Sequence, residues 1–344
     1  MRLPLPLAFA LALALAATGP AAAQSRLGTT AATFLTLGSG AKATALGHAY
    51  SAEAAGAEAV FWNPAGLARD YRGAGGGALF SVSERLVDVQ ASAAAIAVPV
   101  GGGTLGLSLQ ALDYGRMDVT TVENPDGTGE SFGANDLAVG VSYAQPLTES
   151  FYVGGTAKYV RQQIYDMTAS AVAFDLGVLL QTDYAGGLRL GASISNFGGK
   201  MEMRGVNGAI TVDLDPDREG NDEEVPADLR ADRWDLPVAF RFGASLPVVE
   251  FEGARLHLYT DAHQTNDNDL NSDHGLQLSY RTNAVSLDLR GGYRNAFIDS
   301  DDGHLSFGAG VDIRSGGLRF GVDYAYVPSQ YFDTANVIDL RVHF

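Results

Sequence analysis

The stretch "GLRFGVDYAY" (residues 317–326) alternates without a break: Leu318, Phe320, Val322, Tyr324 and Tyr326 share one face, and Arg319, Gly321, Asp323 and Ala325 the other. A period of two is the signature of a β-strand whose two sides meet different surroundings. Globular strands average about 5–6 residues, whereas a tilted strand crossing the hydrocarbon layer of a bilayer needs about 9–11. The stretch has the second length.

The same alternation returns in "HLSFGAGVDIR" (304–314), "VSLDLRGGYR" (285–294), "VAFRFGAS" (238–245), "GLRLGASIS" (187–195) and "VAFDLGVLL" (172–180). Extended along the chain, it predicts strands at 74–82, 88–98, 103–114, 136–146, 150–162, 171–182, 187–197, 236–247, 254–263, 274–282, 285–294, 304–314, 317–326 and 336–344. That is fourteen, an even number, as bacterial outer-membrane barrels have. Even-numbered links are brief (101–102, 148–149, 184–186, 248–253, 283–284, 315–316), and most odd-numbered links are long and polar (115–135, 163–170, 198–235, 264–273, 295–303, 327–335). Short turns on one rim and long loops on the other fit a membrane barrel and give a soluble sandwich no advantage. The fold class is therefore all-β: an antiparallel outer-membrane barrel spanning 74–344.

The chain ends agree. Arg2, the apolar run Leu3–Ala17 and Ala21-Ala22-Ala23 form a signal peptide over 1–23. No later run has the length of a membrane helix, so crossing a bilayer requires a closed barrel. The last strand, "VIDLRVHF", closes on Phe344, an aromatic end that resembles the signal read by the outer-membrane assembly machinery. The chain has no cysteine and a formal net charge of −17, a balance that repels nucleic acid. Outer-membrane lipid is the expected surrounding partner.

With apolar faces toward lipid, the opposite faces line a lumen. They carry Lys158, Arg189, Arg241, Arg255, Arg290, Arg319 and Arg341 against Asp175, Asp261, Asp288, Asp312, Asp323 and Asp339. Near balance predicts a cross-linked interior. Residues 24–73 lack the period of two and are rich in Gly and Ala, which suits a hatch packed inside the barrel. Short helical turns are expected at Ala41–Ala49 and Ser51–Val60. Within "EAVFWNPAGLARDY" (58–71), Phe61, Trp62, Asn63, Pro64, Ala65, Gly66 and Leu67 combine turn chemistry with bulky apolar side chains. A turn with that composition belongs against a barrel wall.

The hatch stretches "FLTLGSGAKATALGHAY" (34–50) and "EAVFWNPAGLA" (58–68) resemble the N-terminal signature of the PorV/PorQ family of outer-membrane proteins, related to FadL-type transporters. Segments "FDLGVLLQT" (174–182), "LGASISNFGGKM" (190–201), "LRGGYR" (289–294) and "LSFGAGVDIRSGGLRFGVDYAYVP" (305–328) carry it further. The resemblance implies a fourteen-stranded barrel with an N-terminal plug. It implies either a partner of type IX secretion, engaging secreted cargo or secretion subunits through outer loops such as 198–235, or a transporter of long-chain fatty acids or other hydrophobic molecules. The secretion role is the leading expectation. Transport would require a greasy pocket between hatch and wall, with a lateral gap near a strand bulge and room beside 88–98 and 103–114.

Catalysis is not expected. The six histidines include no HExxH pair, and no G-x-S-x-G elbow occurs. In "DLDPDREGNDEE" (213–224), Asp213, Asp215, Asp217, Glu219, Asn221 and Glu224 have the offsets of a calcium loop, but Arg218 stands where glycine is required. A solvated acidic loop is expected there, and at "NDNDLNSD" (266–273). Neither a metal nor a cofactor is expected.

Overall fold

The computed structural model describes residues 28–69, 75–84, 89–213, 225–251, 253–297, 304–329 and 334–344. The expected signal peptide, 1–23, lies outside them, as do Asp215, Asp217, Glu219 and Glu224 of the calcium candidate; Asp213 alone is described. In chain order the strands are β1 (Gly77–Glu84), β2 (Gln90–Val100), β3 (Gly103–Asp118), β4 (Ser131–Pro146), β5 (Phe151–Ile164), β6 (Met167–Gln181) and β7 (Arg189–Gly198). A small hairpin, β8 (Ala209–Val212) and β9 (Val225–Asp228), follows. Then come β10 (Ala239–Phe251), β11 (Ala254–Thr265), β12 (Asn271–Arg281), β13 (Val285–Tyr293), β14 (Leu305–Ser315), β15 (Leu318–Val327) and β16 (Ala335–His343).

Strands β1–β7 and β10–β16 form one closed antiparallel barrel of fourteen strands, with β1 paired to both β2 and β16. Closure is in register from Gly77 opposite His343 to Glu84 opposite Asn336. The Phe344 N–H extends the seam by donating to the Gly76 carbonyl at 2.9 Å. A closed ladder leaves no strand edge unpaired, which is the condition for backbone in hydrocarbon.

The alternation sorts the two environments. In β13, Leu287 and Leu289 are 47% and 62% exposed on the outside, while Asp288 and Arg290 are 6% and 5% exposed on the inside. Phe320, Val322 and Tyr324 of β15 and Phe307 and Ile313 of β14 continue the apolar belt. An apolar belt outside and paired charges inside suit a barrel that spans a membrane.

Four features depart from the sequence expectation. Strands β3 and β4 each run 16 residues, longer than the alternation shows. The expected long link 163–170 is a two-residue turn, Tyr165-Asp166, between the paired Ile164 and Met167, with Tyr165 at φ 54°. The loop 198–235 is not wholly irregular: it holds the β8–β9 hairpin and a bridge between Met201 and Trp234. Asn271–Asp273, expected in a loop, begin β12 and are buried.

Candidate functional site

Residues 28–69 fill the barrel. They form 3-10 turns at Thr33–Thr36, Gly56–Phe61 and Pro64–Ala68 and one short helix, α1 (Ala41–Ala45). Gly47 and His48, both at positive φ, stop α1 before the expected Ala49. Asn63 is extended at φ −152°, as a residue before proline should be, and its Oδ1 accepts from the Ala65 N–H at 3.2 Å. Its Nδ2 donates to the carbonyls of Ser51 (2.9 Å) and Val178 (3.0 Å). Asn63 thus ties the hatch turn to itself, to the rest of the hatch and to the wall.

The wall is cut to receive this turn. At Gly177 of β6 an added Cβ would lie 2.1 Å from Asn63 Oδ1 and 2.8 Å from Pro64 Cδ. At Gly154 of β5 it would lie 2.5 Å from the Pro64 backbone. Leu67 and Val60 close on Gly106 of β3. Trp62 donates its Nε1 to the Ser39 carbonyl at 2.8 Å, meets His48 edge-on at 5.1 Å and lies 5.2 Å from the Arg241 guanidinium. Phe61 packs against the same cluster and is only partly buried, whereas Pro64, Ala65, Gly66 and Leu67 are buried. Two strand carboxylates tether the hatch further: Asp339 accepts from Ala41 N (2.6 Å) and Asp261 from Ser51 N (2.9 Å).

The hatch divides the interior in two. Toward the long-loop rim, Phe34 packs with Leu112, Ala138, Val160, Ala169 and Ala173 from β3–β6, beneath Met201 and Leu236 of the long loop. Asp136 is buried here and is held by Tyr114 (2.8 Å) and Gln162 (3.0 Å), and Gln162 accepts from Ala32 N at 2.8 Å. Between the hatch segment 34–40 and β1–β3 lies a cavity of about 30 Å³, lined by Phe34, Leu37, Ser39, Ala91, Ala93 and Leu112 among others. The lining contains no charged side chain among the described residues. Such a volume suits one or two waters, far below the roughly 300–1,000 Å³ of a ligand pocket.

The cavity stands beside β2 and β3, as the transport expectation has it, but neither beside a bulge nor against Phe61, Trp62 and Leu67, the hatch residues expected to line it. The β1–β2, β2–β3 and β1–β16 ladders run without a register shift. The shifts occur between β3 and β4 near Asp113, between β6 and β7 near Asp175, and between β10 and β11 near Pro247. At the second, Asn196 adopts φ 63°, its N–H donates to Asp175 (2.7 Å), and Lys158 bridges Asp175 (2.9 Å) and Asn196 (2.5 Å). Polar groups fill that bulge.

Toward the short-turn rim the interior is charged. Arg290 pairs with Asp288 (3.0 Å) and Asp323 (2.6 Å), and Arg341 with Asp323 (2.5 Å) and Asp312 (3.4 Å). Arg189 and Arg69 converge with Lys42 on Glu53 of the hatch. Burial pushes the Glu53 carboxyl up, but Arg189, Arg69 and Lys42 outweigh it and hold the group down at about 2. Arg241 lies 4.0 Å from Asp273 at the other side of the hatch, where β10 and β12 begin at the long-loop rim. Arg255 sits at the rim, exposed, and pairs with Glu250 rather than with a lumen aspartate. Below the hatch lies a chamber of about 360 Å³. Its basic lining is Lys42, Arg69, Arg189, Arg281, Arg290, Arg319 and Arg341; its acidic lining is Glu53, Glu58, Asp288 and Asp312. No group of three metal-ligating side chains is assembled among the described residues.

The sequence reading did not single out Phe34, Met201, Leu236, Tyr114, Asp136 or Gln162. Met201 and Leu236 flanking a polar loop were the available signal.

No family model and no curated protein matches the chain. Solved structures do. The Pseudomonas putida toluene transporter TodX is similar at a TM-score of 0.58 and 13% identity, over 89% of this chain and 97% of its own. The CymD monoaromatic hydrocarbon channel is similar at 0.56 and 12%, over 89% and 97%. A Pseudomonas aeruginosa FadL homologue is similar at 0.54 and 12%, over 89% and 98%. At such identities the likeness establishes the fold: a fourteen-stranded barrel of the FadL type.

Proposed function

We propose that this protein is an outer-membrane channel for small, neutral, hydrophobic molecules. The observation that carries the reading is the uncharged compartment between hatch and wall, built on Phe34, Leu37, Leu112, Val337 and the alanines Ala91, Ala93 and Ala111, with neutral Ser39, Thr44, Ser81, Ser83, Ser92 and Gln110 completing the lining. A carboxylate ligand would call for a cation there, and the cavity lining has none among the described residues. Two of the neighbours described above bear the names of a monoaromatic hydrocarbon channel and a toluene transporter, which supports transport over the secretion expectation. The long loop favours transport as well. Its Met201 and Leu236 are 1% and 2% exposed and pack on Phe34 inside the barrel mouth, while Val206, Leu229 and Trp234 of the same loop stay exposed.

The compartment is closed. Conduction requires segment 34–40 to move aside, because the standing cavity holds only water-sized guests. The test is uptake of radiolabelled toluene by cells whose outer membrane carries the protein, against cells that lack it. Faster, saturable uptake supports the channel. Unchanged uptake, together with stoichiometric recovery of a secreted protein from mild-detergent extracts, would return the secretion reading.

A further inference from the structure

The charged lining of the chamber beneath the hatch has no complement in a neutral hydrophobic molecule, and its charge is unlike that of the chain. The protein has a formal net charge of −17, yet the seven basic side chains of the chamber outnumber its four carboxylates. Asp323, which stands behind Arg290 and Arg341, does not close the gap. Arg281 and Arg319 make no ion pair among the described residues, and both line the chamber. The Nε atoms of Arg319 and Arg341 are buried without a hydrogen-bond partner. A buried guanidinium N–H left without an acceptor costs free energy, and an acceptor supplied from outside recovers it.

We propose that this chamber is a binding site for a small oxyanion, a phosphate or polycarboxylate entering from the short-turn rim. Guanidinium groups present paired N–H donors that match carboxylate and phosphate oxygens. Arg281 and Arg319 supply uncommitted charge at the chamber wall. The volume of about 360 Å³ admits an anion of several carbon atoms with its hydration. Lys42 and Arg69, which hold Glu53, line the same chamber, so a bound anion meets the hatch directly. The proposal does not depend on the transport reading.

Isothermal titration calorimetry on the purified full-length protein in detergent tests it, with inorganic phosphate and citrate as probes at ionic strength matched with sodium chloride. The variants are the double change Arg281→Gln with Arg319→Gln, which strands no carboxylate, and Arg255→Gln, a rim arginine outside the chamber. A heat-modifiable gel shift verifies that each is folded. Saturable binding of either probe is expected in the parent and in Arg255→Gln, weakened at least tenfold in the double variant. The probe that binds more tightly assigns the anion class. Three results overturn the site: no saturable binding of either probe to the folded parent, equal binding by the double variant, or equal weakening in Arg255→Gln.

Discussion

Replacing Asn63 by alanine should release the hatch turn and leave the barrel standing. The side chain is fully buried and makes three hydrogen bonds, to Ser51, Val178 and Ala65. Each bond is worth roughly 1 kcal/mol net, and a buried partner left unpaired costs about 1–3 kcal/mol. The sum is about 3 kcal/mol, or roughly a hundredfold gain in the population with the turn undocked. Barrel ladders do not pass through Asn63, so the effect is local. Hydrogen exchange read by mass spectrometry should show peptides within 56–69 exchanging roughly a hundredfold faster, with β12–β15 unchanged. Asn63→Asp keeps the acceptor for Ala65 but loses both donors, so it should not rescue. Exchange within twofold of the parent, or a rise spread evenly over barrel strands, would refute the argument that Asn63 pins the hatch.

Gly177→Val should give a barrel that still shows its heat-modifiable gel shift but whose segment 56–69 is open to protease, since even a Cβ meets Asn63 Oδ1 at 2.1 Å; retained protection would contradict the seating described. Glu53 gives a pH dependence: its folded value, about 2, lies below the ordinary 4.5, so its stabilisation of the hatch is complete above pH 4.5 and fades as pH falls toward 2. The contribution is on the order of 3 kcal/mol, and the hatch's opening equilibrium, read from exchange rates divided by the intrinsic amide rate at each pH, should rise between pH 5 and pH 3 in the parent but not in Glu53→Gln. Leu289, at the middle of β13 and 62% exposed, faces the belt centre, so Leu289→Arg should cost about 2–4 kcal/mol in folding into lipid vesicles. A folding midpoint unchanged in denaturant would mean that this face does not meet hydrocarbon.

The barrel was legible because hydrocarbon on one side and water on the other force a period of two. Where both faces are wet, the pattern lapses. This is why the outer ends of β3, β4, β5 and β6 escaped notice, and why the Tyr165-Asp166 turn read as a loop: Gln162, Gln163 and Thr168 carry no inside-outside signal. The β8–β9 hairpin was hidden for the same reason. The hatch was legible in Asn63-Pro64, whose turn chemistry amid Trp62 and Leu67 called for a covering wall. The uncharged cavity was not, because it joins Phe34 and Leu37 of the hatch to Ala91, Leu112 and Val337, from elements far apart in sequence. The excess of arginine below the hatch was equally hidden. Lumen charges counted strand by strand come close to balance, and only the closed barrel brings Arg281 and Arg319 to one chamber with Arg69 of the hatch.

The central claim is that hydrophobic molecules pass between hatch and wall when segment 34–40 moves. Gln110 of β3 donates to the Ser39 hydroxyl at 2.8 Å, which places segment 34–40 beside a barrel strand. The chain has no cysteine, so Ser39→Cys with Gln110→Cys can be joined by a short bifunctional thiol reagent without side reactions. Toluene uptake should fall to the level of cells lacking the protein when the pair is cross-linked by a reducible reagent, and return on reduction. Uptake that persists undiminished in the fully cross-linked protein would contradict the account.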